Sequence, residues 1–126
     1  MNLTINDKHY SECEAGEFEA LIRQAGSVSD VEIWLNHQDG PALCALMNAN
    51  GGWLMFLREE GDAGFSSRNP AIDPGDGATE TYRLANGQMD EYPRAWAFER
   101  SDVFDALREF FRTGQRPGSV GWYEDA

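Results

Sequence analysis

Between residues 31 and 57 the chain carries three consecutive apolar segments joined by short turns, a pattern that only an antiparallel arrangement can accommodate. Val31, Ile33 and Leu35 alternate with Glu32, Trp34 and Asn36, the two-residue period of a strand with one face in a core. Asp39-Gly40-Pro41 supplies a turn, and the continuous apolar run Ala42 to Met47 follows as a strand entering the interior. Asn50-Gly51 is the strongest short hairpin signal in the sequence, with Trp53 to Leu57 as another apolar strand beyond it. Three strands in series predict a meander, because a parallel return needs a crossover of a dozen residues or more.

Around this centre the periodicity changes. Leu3 and Ile5 alternate with polar neighbours and predict a short opening strand. Ser11-Glu12-Cys13-Glu14 has the form of a capping box, followed by Phe18, Leu21, Ile22 and Ala25 at helical spacing, so a helix is expected from Glu12 or Gly16 to Ala25, ended by Gly26. From Glu59 to Gly77 the composition shifts to Gly, Asp, Ser and Pro, and one long exposed loop or a pair of loops is expected there, of a length that in compact domains is commonly functional. Thr79, Thr81 and Arg83 alternate with Glu80, Tyr82 and Leu84, and Asn86-Gly87 turns the chain toward Met89 to Tyr92, which predicts a second hairpin. Trp96 and Phe98, two apart, are expected to share one side of a strand and pack in the core. Ser101 is placed as an N-cap with Asp102 in the first turn of a helix whose stripe is Val103, Phe104, Leu107, Phe110 and Phe111, ending before Gly114. Val120 and Trp122 predict a short strand in the tail. The order of elements gives an α+β fold, with an N-terminal and a C-terminal helix packed against an antiparallel sheet, as one domain spanning residues 1–126.

Asp and Glu number 22 against 10 Lys and Arg, a formal net charge of -12 that disfavours nucleic acid and anionic membranes as partners and speeds encounter with a basic protein. Cys13 and Cys44 have no CxxC or Cys/His ligand spacing around them and are expected to be reduced. Met1 to Tyr10 carries Asp7, Lys8 and His9 and no apolar core of a signal peptide, and the longest apolar run is far below membrane-spanning length, so a cytoplasmic location is expected.

Chemistry-bearing motifs are absent: no GxSxG, P-loop, GxGxxG or HExxH occurs, and His9 and His37 are the only histidines. Asp62, Asp73, Asp76 and Glu80 fall in and just after the loop region, but Asp73-Pro74-Gly75-Asp76-Gly77 lacks the alternating ligands of a calcium loop, so neither a metal nor another cofactor is expected. The same carboxylates suit either plain solvation or presentation to a partner rich in Arg and Lys. Tyr82 lies beside them as an aromatic of the kind that anchors an interface.

Two stretches then carry a resemblance. Asn86-Gly87-Gln88-Met89-Asp90-Glu91-Tyr92-Pro93, and the run from Asp102 through Phe110-Phe111-Arg112-Thr113-Gly114-Gln115-Arg116-Pro117 to Trp122, resemble the first-numbered immunity-protein family of bacterial polymorphic toxin systems. Members have a Gly-Glu-Tyr-Pro-like turn, then a helix with paired phenylalanines, a Thr-Gly turn, a Pro, and a Trp followed by acidic residues; here Asp90 stands in place of the glycine. The resemblance implies a non-enzymatic inhibitor that binds one cognate toxin as a 1:1 heterodimer. It further implies a basic, nucleic-acid-modifying toxin, a cytidine deaminase exported by type VI secretion or alternatively a nuclease. The residues expected to meet that partner are Glu59, Glu60, Asp62, Asp73, Asp76, Glu80 and Tyr82. Other readings are an acidic adaptor module with no toxin partner, and a hydrolase or isomerase using Asp73 or Asp76 with His37. Replacing His37 by Ala separates the last from the first: protection against a toxin is expected to persist in a survival assay, whereas an enzyme built on His37 would lose its activity.

Overall fold

The meander is the centre of the molecule. In the computed structural model, which describes residues 1–38 and 40–125, β3 (Val31–Asn36), β4 (Ala42–Asn48) and β5 (Gly51–Leu57) pair antiparallel in series. Asp39 of the expected Asp39-Gly40-Pro41 turn lies outside the described residues. The sheet extends through β1 (Asn2–Ile5) and β2 (Lys8–Tyr10) on one side, and through β6 (Phe65–Arg68) and β9 (Gly121–Glu124) on the other. The order across its seven strands is β2-β1-β3-β4-β5-β6-β9, with every pair antiparallel.

Both helices pack on one face. α1 (Ala15–Ala25) buries Phe18, Ile22 and Ala25, and α2 (Arg100–Thr113) buries Val103, Ala106, Leu107 and Phe110, each set on a single helical stripe. They close a core over Leu3, Val31, Ile33, Leu35, Leu43, Ala45, Met47, Leu54 and Phe56, and Phe18 stacks on Phe111 at 4.2 Å between the helices. The opposite face carries a second, smaller cluster in which Cys44, Leu46 and Trp53 meet Tyr82. The lid there is the hairpin of β7 (Thr79–Arg83) and β8 (Met89–Pro93), with Tyr92 stacked on Trp53 at 4.3 Å. Cover on both faces explains why β4 is apolar throughout Ala42 to Met47 instead of alternating. No helix among the described residues is long and apolar enough to cross a membrane.

Several local expectations are corrected. The capping box at Ser11 is not made: α1 starts at Ala15 with Glu14 as N-cap and no side-chain cap bond. The Glu12 and Cys13 amides instead donate to Asn2 Oδ1 and the Met1 carbonyl, which holds that stretch against β1, with Glu12 at φ 50°. Ser101 lies inside α2, which begins at Arg100 because the Arg100 guanidinium donates to the carbonyls of Asn48, Val28, Ser29 and Ala25. Asn50-Gly51 marks the right turn but one residue out of place. Asn48 pairs with Gly51, so Ala49 and Asn50 form the loop, and Asn48 Oδ1 accepts from the Asn50 and Gly51 amides. Trp96 and Phe98 do not share a strand. A 3-10 turn at Arg94–Trp96 resets the alternation, so Trp96 packs in the hairpin-side cluster and Phe98 against the helix-side core.

The 59–77 region is not a continuous loop either, since β6 runs through it with Ser66 and Ser67 buried. Ser67 Oγ donates to the Trp96 carbonyl and accepts from the Leu54 amide, so the burial of its hydroxyl is compensated.

The Gly51-Gly52 pair lets residues 97–99 cross close by: Gly52 and Phe98 exchange both backbone hydrogen bonds at 2.9 Å. A Cβ on Gly51 would run into the Phe98 carbonyl oxygen, whereas one on Gly16, in the first turn of α1, meets nothing within 4 Å. Gly51→Ala is therefore expected to lower stability by about 1–3 kcal/mol through overpacking. Gly16→Ala should raise it by about 0.5–1 kcal/mol through the unfolded-chain entropy that it removes. Urea unfolding midpoints at unchanged slope measure both.

Candidate interaction surface

The hairpin covers only part of its face of the sheet. Tyr82, Leu84 and Tyr92 lie over the cross-strand row Leu46–Trp53, leaving two rows nearer the other end partly exposed. One row is Thr4–Trp34–Cys44–Met55–Ser66–Tyr123, in which Cys44 and Ser66 are buried and the other members are not; the next is Asn2–Asn36–Ala42–Leu57. A groove of about 480 Å³ opens over the second row, with Trp34, Asn36, Ala42 and Leu57 in its floor. Its rim is formed by the β3–β4 turn and by Glu59 and Glu60, both exposed, on the β5–β6 connection.

That connection is held in shape by Asp62. Its carboxylate accepts from Arg58 Nε and Nη2 and from the Arg58 backbone amide, each at 2.9 Å, and Gly61 takes φ 83° between them. The Arg58 side-chain and backbone hydrogen bonds hold the Asp62 carboxyl well below the usual carboxylate range, and Arg58 is raised in turn. A Cβ on Gly40 would stand 3.3 Å from the Arg58 carbonyl oxygen, so the two rim turns lean on each other.

The expected partner-facing residues therefore separate. Glu59 and Glu60 face solvent at the groove, while Asp62 is consumed in shaping their turn. Asp73 and Asp76 are exposed around the 3-10 turn Pro74–Asp76, where Asp73 Oδ1 caps the Gly75 amide. Glu80 accepts from the side-chain amides of Asn48 and Asn50 at the β4–β5 turn. The two acidic groups thus sit at opposite ends of β5, roughly 20 Å apart for a seven-residue strand. Tyr82 is corrected outright: at 1% exposure its ring is a core member that anchors the hairpin, and no face of it is offered to a partner.

Other side chains on this face were not singled out by sequence. Arg68 is held between the rings of Trp96, at 3.7 Å, and Tyr123, at 4.7 Å, while its Nη1 donates to Ser66 Oγ and the Ser67 carbonyl. Tyr92 continues the stack to Trp96, and its hydroxyl donates to Asp90, which also accepts from the Gln88 side-chain amide. Burial and then the Asp90 charge push the Tyr92 phenol up to about 12. The available signal for Trp34 was its place among the polar, alternate positions of β3.

His37 follows the end of β3 at the groove, whereas Asp73 and Asp76 precede β7 near the β4–β5 turn, so the histidine–aspartate pairing considered for an enzyme is not formed. Among the described residues no group of three or more His, Cys, Asp and Glu could hold a metal ion. Burial pushes the Cys13 thiol up to about 11 and Cys44 well above its ordinary value, so neither is a thiolate at neutral pH.

The family model described as Immunity protein Imm1 matches residues 15–124, and the chain belongs to that family. No curated protein matches it. The protein is thus an immunity protein against a toxin, and a cognate toxin is its partner.

The Asp62 clamp has a definite pH signature. A folded pKa below the unfolded value of about 3.9 gives stability that is present above pH ~4 and lost as the pH falls through the folded value. Asp62→Asn is expected to lower stability at pH 7 and to flatten its decline below pH 4, as read by urea unfolding across that range. An unchanged slope would mean the fork contributes nothing to folding.

Proposed function

We propose that this immunity protein neutralises a nucleic-acid-modifying toxin, a cytidine deaminase, by occupying its active site or substrate groove in a 1:1 complex in the cytoplasm. It does so without chemistry of its own and without nucleic acid or membrane as partner. The observation that carries this reading is the net charge of -12 together with the commitment of four of the nine arginines to contacts within the fold. Arg58 is paired with Asp62 and Glu124, Arg108 with Glu19 and Asp105, Arg100 with backbone carbonyls, and Arg68 is held between aromatic rings. With 22 acidic against 10 basic residues, exposed carboxylates such as Glu59, Glu60, Asp73 and Asp76 dominate the outer field.

An enzyme that grips DNA or RNA must surround its active site with basic side chains, and it must hold the target base in a pocket. A rigid acidic surface with an aromatic and aliphatic centre is complementary to such a rim. Inhibition then needs only an interface of about 1,600 Å² or more, with charge speeding capture and buried contacts slowing release. A nuclease toxin would present the same basic groove; the preference for a deaminase comes from the resemblance carried by residues 86–93 and 102–122.

Co-expression with the toxin domain encoded immediately upstream tests the reading. The expected result is survival, a stable 1:1 complex on purification, and, in cells carrying the toxin alone, accumulation of C-to-T changes. Killing accompanied by strand breaks without C-to-T changes would replace the deaminase by a nuclease. Death of the cells despite co-expression, with no complex recovered, would sink the proposal for that toxin.

A further inference from the structure

We propose that the groove over Trp34, Ala42 and Leu57 is the seat for one arginine side chain of the toxin, an assignment that rests on the toxin-binding reading above. The floor is apolar and already in place. It lies in the part of the sheet face that the β7–β8 hairpin leaves open, and the Trp34 ring is oriented by its indole N–H, which donates to Glu32 Oε2 at 2.9 Å. Glu32 Oε1 in turn accepts from the Ala85 amide in the β7–β8 turn, so the ring is tied to the lid as well as to the sheet.

The rim supplies charge that no ion pair among the described residues neutralises. Among the described residues neither Glu59 nor Glu60 takes part in an ion pair, and no lysine or arginine lines the groove. The nearest cation in sequence, Arg58, is turned to the other face, over the Phe65 ring and forked onto Asp62 and Glu124. The fork and the close approach of Gly40 to the Arg58 carbonyl fix the backbone of the turn that carries the two carboxylates at the mouth.

An aromatic floor with carboxylates at its edge selects among cations. A guanidinium can lie flat on an indole face and still direct its N–H fork at a carboxylate, whereas an ammonium group is a strongly hydrated point charge that gives up more on entering an apolar groove. The aliphatic stem of an arginine would cover Leu57 and Ala42. The volume of about 480 Å³ accommodates such a side chain together with bridging water.

The test uses the full-length protein and the catalytically inactive toxin, with Kd and association rate measured across a salt series. Glu59→Gln with Glu60→Gln is expected to weaken binding at least tenfold and to flatten the salt dependence. Trp34→Leu, which keeps an apolar floor, should weaken binding with the salt dependence retained. Asp7→Asn with Asp102→Asn removes equal charge elsewhere and should leave Kd within about twofold. Double-mutant cycles against toxin arginines changed to Lys and to Ala should find one arginine coupled to the glutamate pair, with Lys restoring only a fraction of the affinity. A wild-type complex whose Kd and salt response ignore the glutamate pair overturns the groove assignment and leaves the toxin reading standing. Coupling to a lysine or to an apolar residue overturns the choice of arginine. Absence of any wild-type complex overturns the toxin reading and this assignment together.

Discussion

One guanidinium fixes how the layers of this molecule meet. Arg100, the first residue of α2, donates to the carbonyls of Ala25 at the end of α1, of Val28 and Ser29 beyond it, and of Asn48 at the end of β4. Carbonyls at a helix C-terminus lack intrahelical donors and carry the negative end of the helix dipole, so a cation there satisfies them and is favoured electrostatically. The same side chain therefore closes α1, starts α2 and ties both to the meander. With both helices committed to one face, the other face is left to whatever the segment between β6 and α2 can provide, and that segment provides a single hairpin.

The contrast between the faces is one of completeness. On the helix side, residues from α1, α2 and the sheet interlock with almost no exposure, and Phe56, Phe110 and Trp122 meet edge to face. On the hairpin side, the stack Trp53–Tyr92–Trp96–Arg68–Tyr123 runs from buried to exposed, ending in a tyrosine ring that is 55% accessible. Backbone displayed from paired strands and from a turn pinned by the Asp62 fork loses little further freedom on binding, so the ordering cost falls on side chains such as Glu59 and Glu60, at about 0.5–1.5 kcal/mol each.

What could be read from the residues depended on whether a signal was local. The meander, the second hairpin and the stripe of α2 follow from periodicity within a few residues, and all three are present. The strand β6 was invisible because Phe-Ser-Ser-Arg has no apolar alternation; its identity comes from β9, more than fifty residues away, and from the acceptors that satisfy Ser66 and Ser67. The capping box at Ser11 and the N-cap at Ser101 were misassigned because Asn2 and four distant carbonyls compete with the local caps, although α1 starts within one residue of the Gly16 alternative. For the acidic residues, exposure of Glu59, Glu60, Asp73 and Asp76 was legible from composition. The internal duty of Asp62 and the burial of Tyr82 were not, since each depends on which neighbour the fold brings within reach.

Because folding free energy is concentrated on the helix side and the exposed rows lie on the other, the two duties of the chain draw on different residues. Changes at Trp34, Leu57, Glu59 or Glu60 alter shape and charge at a groove while leaving Leu43, Leu54, Phe110 and the Arg100 contacts untouched. An immunity protein must keep step with a toxin that changes, and mutational drift usually exhausts a small margin of stability. A half-covered sheet loosens that constraint: the lock can be re-cut from one side while the frame that holds it stays in place, so a lineage can exchange one adversary for another without first unfolding.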